Sequence, residues 1–517
     1  MTQDSLRQDS QANNKRIAKN TFFLYFRMLF LMLITFYTSR VVLDKLGVVD
    51  FGIHNVVGGL ATMFVFFRSS LANVTQRYLN VELGKQNIKE AHNVFCQHQT
   101  LYLFISLFVF LCAESIGLWF VSSQLNVPSE RHTAAIWVYQ FTIMSLIITI
   151  MSVVYDAAIV AHEDMKIYSY VGIVEGLCKL LIAFVISVIS FDSLITYSFL
   201  LSIVAVGVIT FYIYYCSRKY DECHFVIKWN RQHVKEAFSM IGWNTVGTAV
   251  WAINNQGIDV LLNIFFGPAV NAAKGIASQV DRAVNNFGQN FFIAVRPQLV
   301  KSYAAKDFDY LYKLFFSSSK FSVYLLWLIC LPIILCVDTI LTIWLKEVPD
   351  YTSSFTILTL IYSVINILNN PIWSLALAIG ELKWYIVIGS GVFFMTFPLS
   401  FVCLAIGCPP ESVIAVNIVV RVVYIVVVIR IVNRYLPIPI AKYFGEVIKP
   451  VVMVLFVSGA TSWGISKLLP DIIYGRILTC VVSIVFIVIC ILYLGLKQNE
   501  RNQLYMFVLK KIKVYKK

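Results

Sequence analysis

The sequence predicts an all-α, polytopic membrane protein of about fourteen transmembrane helices, arranged as two pseudo-symmetric six-helix lobes plus two C-terminal helices. Three observations predict it. The chain of 517 residues is 59% hydrophobic and only 14% charged, where a soluble chain averages roughly 25% charged residues, and its mean hydropathy is +0.75. Apolar stretches long enough to cross a bilayer, which takes about 20 residues, recur along its whole length. Lys and Arg are also concentrated on alternate sides of those stretches. In a soluble chain the net charge of +14 would point to nucleic acid. Here the positive-inside rule accounts for it, and no nucleic-acid partner is expected.

The spans centre within 21–42, 51–76, 95–120, 133–160, 167–190, 193–216, 238–266, 270–295, 317–344, 354–379, 384–406, 412–433, 447–467 and 474–496. The second and eighth are partly polar. An even number places both chain ends on one side, and the basic residues test that topology. Of the 42 Lys and Arg, seven fall on the side away from the ends: Arg40, Lys45, Arg131, Lys274, Lys346, Lys467 and Arg476. Five lie within spans, Arg27, Arg68, Lys179, Arg282 and Arg421, and the other thirty share the side of the two ends. That side is therefore read as cytoplasmic. The organisation follows: an N-tail (1–20), an N-lobe (21–216), a basic cytoplasmic linker (217–237), a C-lobe (238–433), two further spans (434–496) and a basic amphipathic tail (497–517) suited to lie on an anionic leaflet. The first twenty residues are polar and carry no cleavage pattern, so no signal peptide is expected.

The two lobes begin alike. Asn20-Thr21 opens a span ending near Gly47, and Asn244-Thr245 opens one ending near Gly267. The following spans close with Gln76-Arg77 and with Arg296-Pro297-Gln298. Both pairs run in the same sense, so the repeat is parallel, with its axis along the membrane normal.

The chain is organised around Gly242 to Leu299, two helix-length segments joined at Gly267-Pro268. At 100° per residue, Asn244, Thr248, Trp251, Asn255 and Asp259 share an arc of the first. Lys274, Ser278, Asp281, Arg282, Asn285, Gln289 and Arg296 share a face of the second. Such stripes are costly in lipid unless they face protein or water, so the pair predicts a hydrated interior. Among the charges inside spans, Lys179 follows Glu175 by one turn and the two can neutralise each other. Arg27, Arg68 and Arg421 are near enough to a cytoplasmic end to snorkel, and lumen-lining fits them equally. Arg282 sits near mid-span, where snorkelling fails and a functional role fits better.

Catalytic signatures are absent: there is no P-loop, no H-E-x-x-H and no G-x-S-x-G. The eleven Cys are scattered without a C-x-x-C pair and behave as small apolar residues, so neither disulfides nor a zinc site is expected. His162-Glu163-Asp164 reads as a solvated helix terminus rather than a metal site. Gly172 and Gly176 permit close helix packing, and Pro332, Pro371 and Pro398 are positioned to bend their spans.

Fourteen spans, a basic central loop and a polar seventh–eighth pair make the chain resemble the polysaccharide-exporting branch of the MOP (multidrug/oligosaccharidyl-lipid/polysaccharide), MATE-like, superfamily. It is most similar to O-antigen flippase-type lipopolysaccharide biosynthesis proteins, through Asn20 to Gly84 and Trp243 to Leu299. The resemblance implies two lobes around a cationic cavity in the bacterial inner membrane. It also implies movement of an undecaprenyl-diphosphate-linked sugar unit from the cytoplasmic to the periplasmic leaflet. Arg27, Arg68 and Arg282 match positions where that branch places basic residues. Their charge and location carry over, but no individual role does. On this expectation Arg27, Arg68, Lys274, Arg282 and Arg296 form a cationic lumen, and Asn244, Asn255, Asn285 and Gln289 its polar lining. Asp259 and Asp281 bind a coupling proton or Na⁺, or else orient arginines. Glycan polymerase and export machinery are the implied protein partners, and no cofactor is needed. Two alternatives stand beside it. A cation-coupled multidrug antiporter calls for a more acidic interior. A membrane-embedded glycan polymerase or ligase calls for larger external loops.

Overall fold

The computed structural model describes residues 3–62, 65–162, 164–186, 188–189, 191–232, 250, 254–379, 382–470, 472–498 and 500–502. Its regular structure is helical, without a strand among the described residues. Nine helices there are long and apolar enough to cross a membrane: Ile88–Ser123, Ser129–Ala161, Lys166–Val185, Ser193–Lys219, Phe308–Leu335, Thr352–Ile379, Trp384–Ala405, Ser412–Tyr435 and Tyr474–Gly495. They coincide with the third to sixth, ninth to twelfth and fourteenth expected spans. The chain is a multi-pass, all-α membrane protein.

The remaining spans differ in form. A 60-residue helix, Gln3–Thr62, runs from the polar N-terminal residues through the first span and into the second. It breaks at Gly47, whose φ of 78° and ψ of 169° lie outside the helical region. Only a residue without Cβ takes that conformation cheaply. Gly267, at the matching place between residues 254–266 and the helix Pro268–Ala304, has φ 82°. The two spans matched in the sequence therefore end on the same backbone device. Most of the seventh expected span, residues 238–249 and 251–253, lies outside the described residues. The thirteenth is the helix Lys449–Leu468.

Local chemistry fixes several helix starts. The carboxamide of Asn87 accepts from the Glu90 N–H at 3.2 Å. Asp192 accepts from the Leu194 and Ile195 N–H groups, and Asp307 from that of Tyr310. Each removes an orphan donor of the first turn. Pro371 and Pro398 sit in the first turns of Asn369–Ile379 and Thr396–Ala405, where the missing N–H costs nothing, so each marks a break within its span.

Several polar contacts link residues near the helix ends. Arg131 holds both Asp50 and Asp192 at 2.5 Å. Lys346 holds Asp44 at 2.8 Å, and the Asn126 N–H donates to Asn263. All of these residues are expected on one side. His162 with Glu222, Lys219 with Asp164, Lys320 with Glu500 and Lys497 with Glu446 pair residues expected on the other.

Contacts divide the chain into two compact units: Met1–Ala272 with Leu345–Pro349, and Ala273–Trp344 with Asp350–Lys517. In the first, Gly176 lets Leu31 approach so closely that an added Cβ would lie 2.5 Å from it. Gly52 meets the backbone at Pro268, whose carbonyl oxygen would stand 1.9 Å from a Cβ. The Tyr139 hydroxyl donates to the Ala113 carbonyl at 2.8 Å. In the second, Phe315 stacks on Tyr443 with centroids 5.2 Å apart, within a core that includes Ile372, Leu375, Val428 and Val432. Lys320 belongs to the helix Phe308–Leu335. It is only 2% exposed and donates to both carboxylate oxygens of Glu500 at 2.9 and 2.8 Å.

Candidate functional site

In the first unit the expected lumen cation Arg68 donates from Nη2 to Asp156 Oδ2 at 2.5 Å. Asp156 is buried, and among the described residues its Oδ1 has no hydrogen-bond partner. The Arg68 side chain stays 41% exposed. Sequence reasoning missed Asp156, although it is the only charged residue in the fourth span (133–160), a position that marks function or pairing. Asp259 and Gln256 face the bare backbone at Gly59, where a Cβ would lie 4.0 Å from Asp259 Oδ2 and 2.7 Å from Gln256 Oε1. The Asp259 carbonyl accepts from Asn271 Nδ2 at 2.7 Å, which ties residues 254–266 to the next helix. Asn255 is half-buried in the same segment. Arg27 and Gln289 are placed in helices by their backbones, and their side chains, like all of Asn244, lie outside the described residues.

The second unit contains a connected polar cluster. Asn285 Nδ2 donates to Asp281 Oδ1 at 2.7 Å and to Ser363 Oγ at 3.0 Å, and Ser363 Oγ donates to Asp281 Oδ1. Three residues on, one helical turn along the same helix, Asn366 Oδ1 accepts from Arg421 Nη2. The Arg421 guanidinium lies over the rings of Tyr424 and Phe393, at 4.5 and 5.4 Å. Its Nε is buried without a partner, and among the described residues no ion pair holds it. The helix Thr352–Asn366 thus joins an acidic group at Ser363 to a basic one at Asn366. Of the expected residues, Asp281 and Asn285 belong to this cluster. Arg282 is exposed beside it, Lys274 is half-buried and Arg296 is exposed, all three on the helix Pro268–Ala304.

The group around His162 is held by an ion pair and ring stacking. His162 Nε2 meets Glu222 Oε1 at 2.5 Å and its ring stacks on Tyr220 with centroids 4.0 Å apart. Asp164 accepts from Lys219 and Tyr215. Among the described residues no group of His, Cys, Asp or Glu is arranged to hold a metal ion. Lys179 does pair with Glu175, at 2.6 Å.

No family model matches the sequence, and no curated protein does. Solved structures match it by fold. The chain is similar to a structure described as the lipid II flippase MurJ in an inward closed conformation, with a TM-score of 0.65 at 13% identity, covering 91% of this chain and 98% of that one. It is similar to an inward-facing multidrug resistance MATE family transporter of the MOP superfamily, with a TM-score of 0.62 at 12% identity over 79% of this chain and 95% of the other. The MATE multidrug transporter DinF-BH matches with a TM-score of 0.57 at 14% identity, over 81% of this chain and 95% of that one. At such identities what is shared is the fold.

Proposed function

We propose that this protein is a flippase. It moves an undecaprenyl-diphosphate-linked oligosaccharide from the cytoplasmic to the periplasmic leaflet of a bacterial inner membrane by alternating access of two lobes. One observation carries the reading. The helix Pro268–Ala304 is long enough to cross the bilayer, yet it presents an exposed guanidinium, Arg282, near its middle. A charge at that depth marks a helix face turned to protein or to a water-filled cavity. A lipid diphosphate is an anion that needs cationic help to cross a layer about 30 Å thick. A guanidinium fork matches phosphate oxygens in pairs. Arg27 adds charge, Arg68 adds its own once Asp156 releases it, Asn255, Asn285 and Gln289 can bond sugar hydroxyls, and the prenyl tail stays in lipid. Asp281, held by Ser363 and Asn285, is placed to take a proton or Na⁺ or to fix its neighbours. No covalent step is required.

The likeness to multidrug transporters supports a second reading, a cation-coupled drug antiporter. Arg421 and Arg282 disfavour a site for cationic drugs. The test is translocation in proteoliposomes carrying a labelled undecaprenyl-diphosphate oligosaccharide, with wild type and Arg282→Ala compared. Transfer by wild type and its loss in the variant is the expected result. Transfer by both equally, or dye–proton exchange by wild type with no lipid transfer, overturns the flippase reading.

A further inference from the structure

The basic linker holds a second pattern. Residues 222–230 are not helical, and they run against the helix Ile88–Cys112. His92, Cys96 and Thr100 lie four residues apart and so share one face of that helix. His92 Nδ1 donates to the Glu222 carbonyl at 3.1 Å. Cys96 Sγ donates to the His224 carbonyl at 3.3 Å and accepts from the Val226 N–H at 3.4 Å. Thr100 Oγ1 accepts from the Lys228 N–H at 3.3 Å. One turn further along the same face, Phe104 meets Trp229 edge-on, with ring centroids 5.3 Å apart. Backbone groups on alternate residues, 222 to 228, are thus each met by a side chain of one helix.

A loop in water has its backbone solvated for nothing. A non-helical segment at membrane depth does not, and it is tolerated there only when protein groups satisfy it. The helix in question continues into a span. Gln97, His98, Gln99 and Thr100 precede its apolar run, and Phe104 begins an exposed apolar stripe with Leu107, Phe108 and Leu111. Trp229, packed on Phe104, therefore stands at the edge of the apolar layer, the level at which Trp concentrates. Its neighbours fit that level. Phe225, Val226, Ile227 and Trp229 are 40%, 53%, 74% and 55% exposed, an apolar patch continuous with the lipid-facing stripe. From Phe225 to Gln232 the only charged residues are Lys228 and Arg231, both basic. The Lys228 ammonium meets an amide oxygen, Asn93 Oδ1, at 2.7 Å, which leaves its charge intact, and Arg231 is exposed.

We propose that residues 225–231 are inserted in the leaflet on the side of the chain ends and bind anionic phospholipid there. The apolar side chains lie at the acyl boundary, and Lys228 and Arg231 meet the phosphates. Apolar area and basic charge together are what bind a segment to such a surface. The linker then leaves its own unit at a fixed depth, held by the helix on one side and by lipid on the other. None of this depends on what the protein transports.

The test is photocrosslinking of the full chain in nanodiscs of equal phosphatidylglycerol and phosphatidylcholine, with adducts identified by mass spectrometry. The photoreactive residue p-benzoylphenylalanine is placed at Ile227 or, as a control, at Lys89, exposed in the first turn of the same helix. Because Ile227 is largely exposed, its replacement removes little packing. The probe at Ile227 should attach to lipid, to phosphatidylglycerol ahead of phosphatidylcholine, and the probe at Lys89 far less. Adding Lys228→Gln or Arg231→Gln should lower the ratio of the two lipid adducts by up to about fivefold each, at roughly 1 kcal/mol per basic residue near an anionic leaflet. That ratio is internal to each sample, so the yield of folded protein does not enter it. Adducts from Ile227 to a second copy or to another segment of this chain overturn the proposal, as do lipid adducts no more abundant than from Lys89. A ratio unmoved by both substitutions overturns the phosphate contacts. No transport is read, so failure here leaves the flippase reading standing, and failed translocation leaves this surface standing.

Discussion

Arg68 and Arg421 are both guanidinium groups within expected spans, and the protein treats them oppositely. Arg68 is met by a buried carboxylate, Asp156, and its charge is cancelled locally. Arg421 is met by an amide oxygen and two aromatic faces, which satisfy its geometry and leave its charge intact. The first arrangement neutralises a cation and the second preserves one. A half-buried, uncancelled arginine attracts anions, whereas an ion-paired one must first lose its partner. Position within a span therefore does not say whether a basic residue is available to substrate. Its partner does.

That contrast can be broken by substitution. Asp156→Ala should cost most, because it strands Arg68. About 2 kcal/mol is expected in thermal unfolding in detergent, below the ~3–5 of a fully buried pair since Arg68 is partly exposed. Adding Arg68→Met should recover much of the loss, and a double variant no more stable than Asp156→Ala alone would deny that the two are coupled. Asn366→Ala should cost about 1.5 kcal/mol, the worth of a hydrogen bond to a charged group. Tyr424→Leu should cost about 0.5–1 kcal/mol in cation–π contact. If either exceeds Asp156→Ala, the ring-and-amide cradle is the stronger device. The smallest effect belongs to the exposed Lys346–Asp44 pair, about 0.2–1 kcal/mol. Its carboxyl value is lowered, so its contribution is whole above the ordinary 3.8 and fades as pH falls through the lowered value. Wild type and Asp44→Asn should therefore differ by a constant amount from about pH 8 to pH 5 and converge only in stronger acid.

Much of the architecture was legible because membrane spans are written in composition, as the coincidence of nine apolar helices with expected spans attests. The turn at Gly47 and Gly267 was visible as a matched pair of glycines, though not its left-handed φ. The site was far less legible. Helical periodicity ranked Asp281 and Asn285 together correctly, since they lie one turn apart. It could not reveal Ser363, Asn366 or Asp156, which reach their partners across 82, 55 and 88 residues of chain. Lys320 was illegible for a related reason: the carboxylate that permits its burial lies 180 residues downstream.

That last separation has a consequence in time. At about 5–20 residues per second of synthesis, Glu500 emerges some 9–36 seconds after Lys320. For that interval the ammonium has no carboxylate to meet, and the helix around it cannot take its final depth. That part of the second unit is thus completed only once Glu500 has emerged. A chain released before Glu500 would lack a tail and would also hold an unanswered charge in its core.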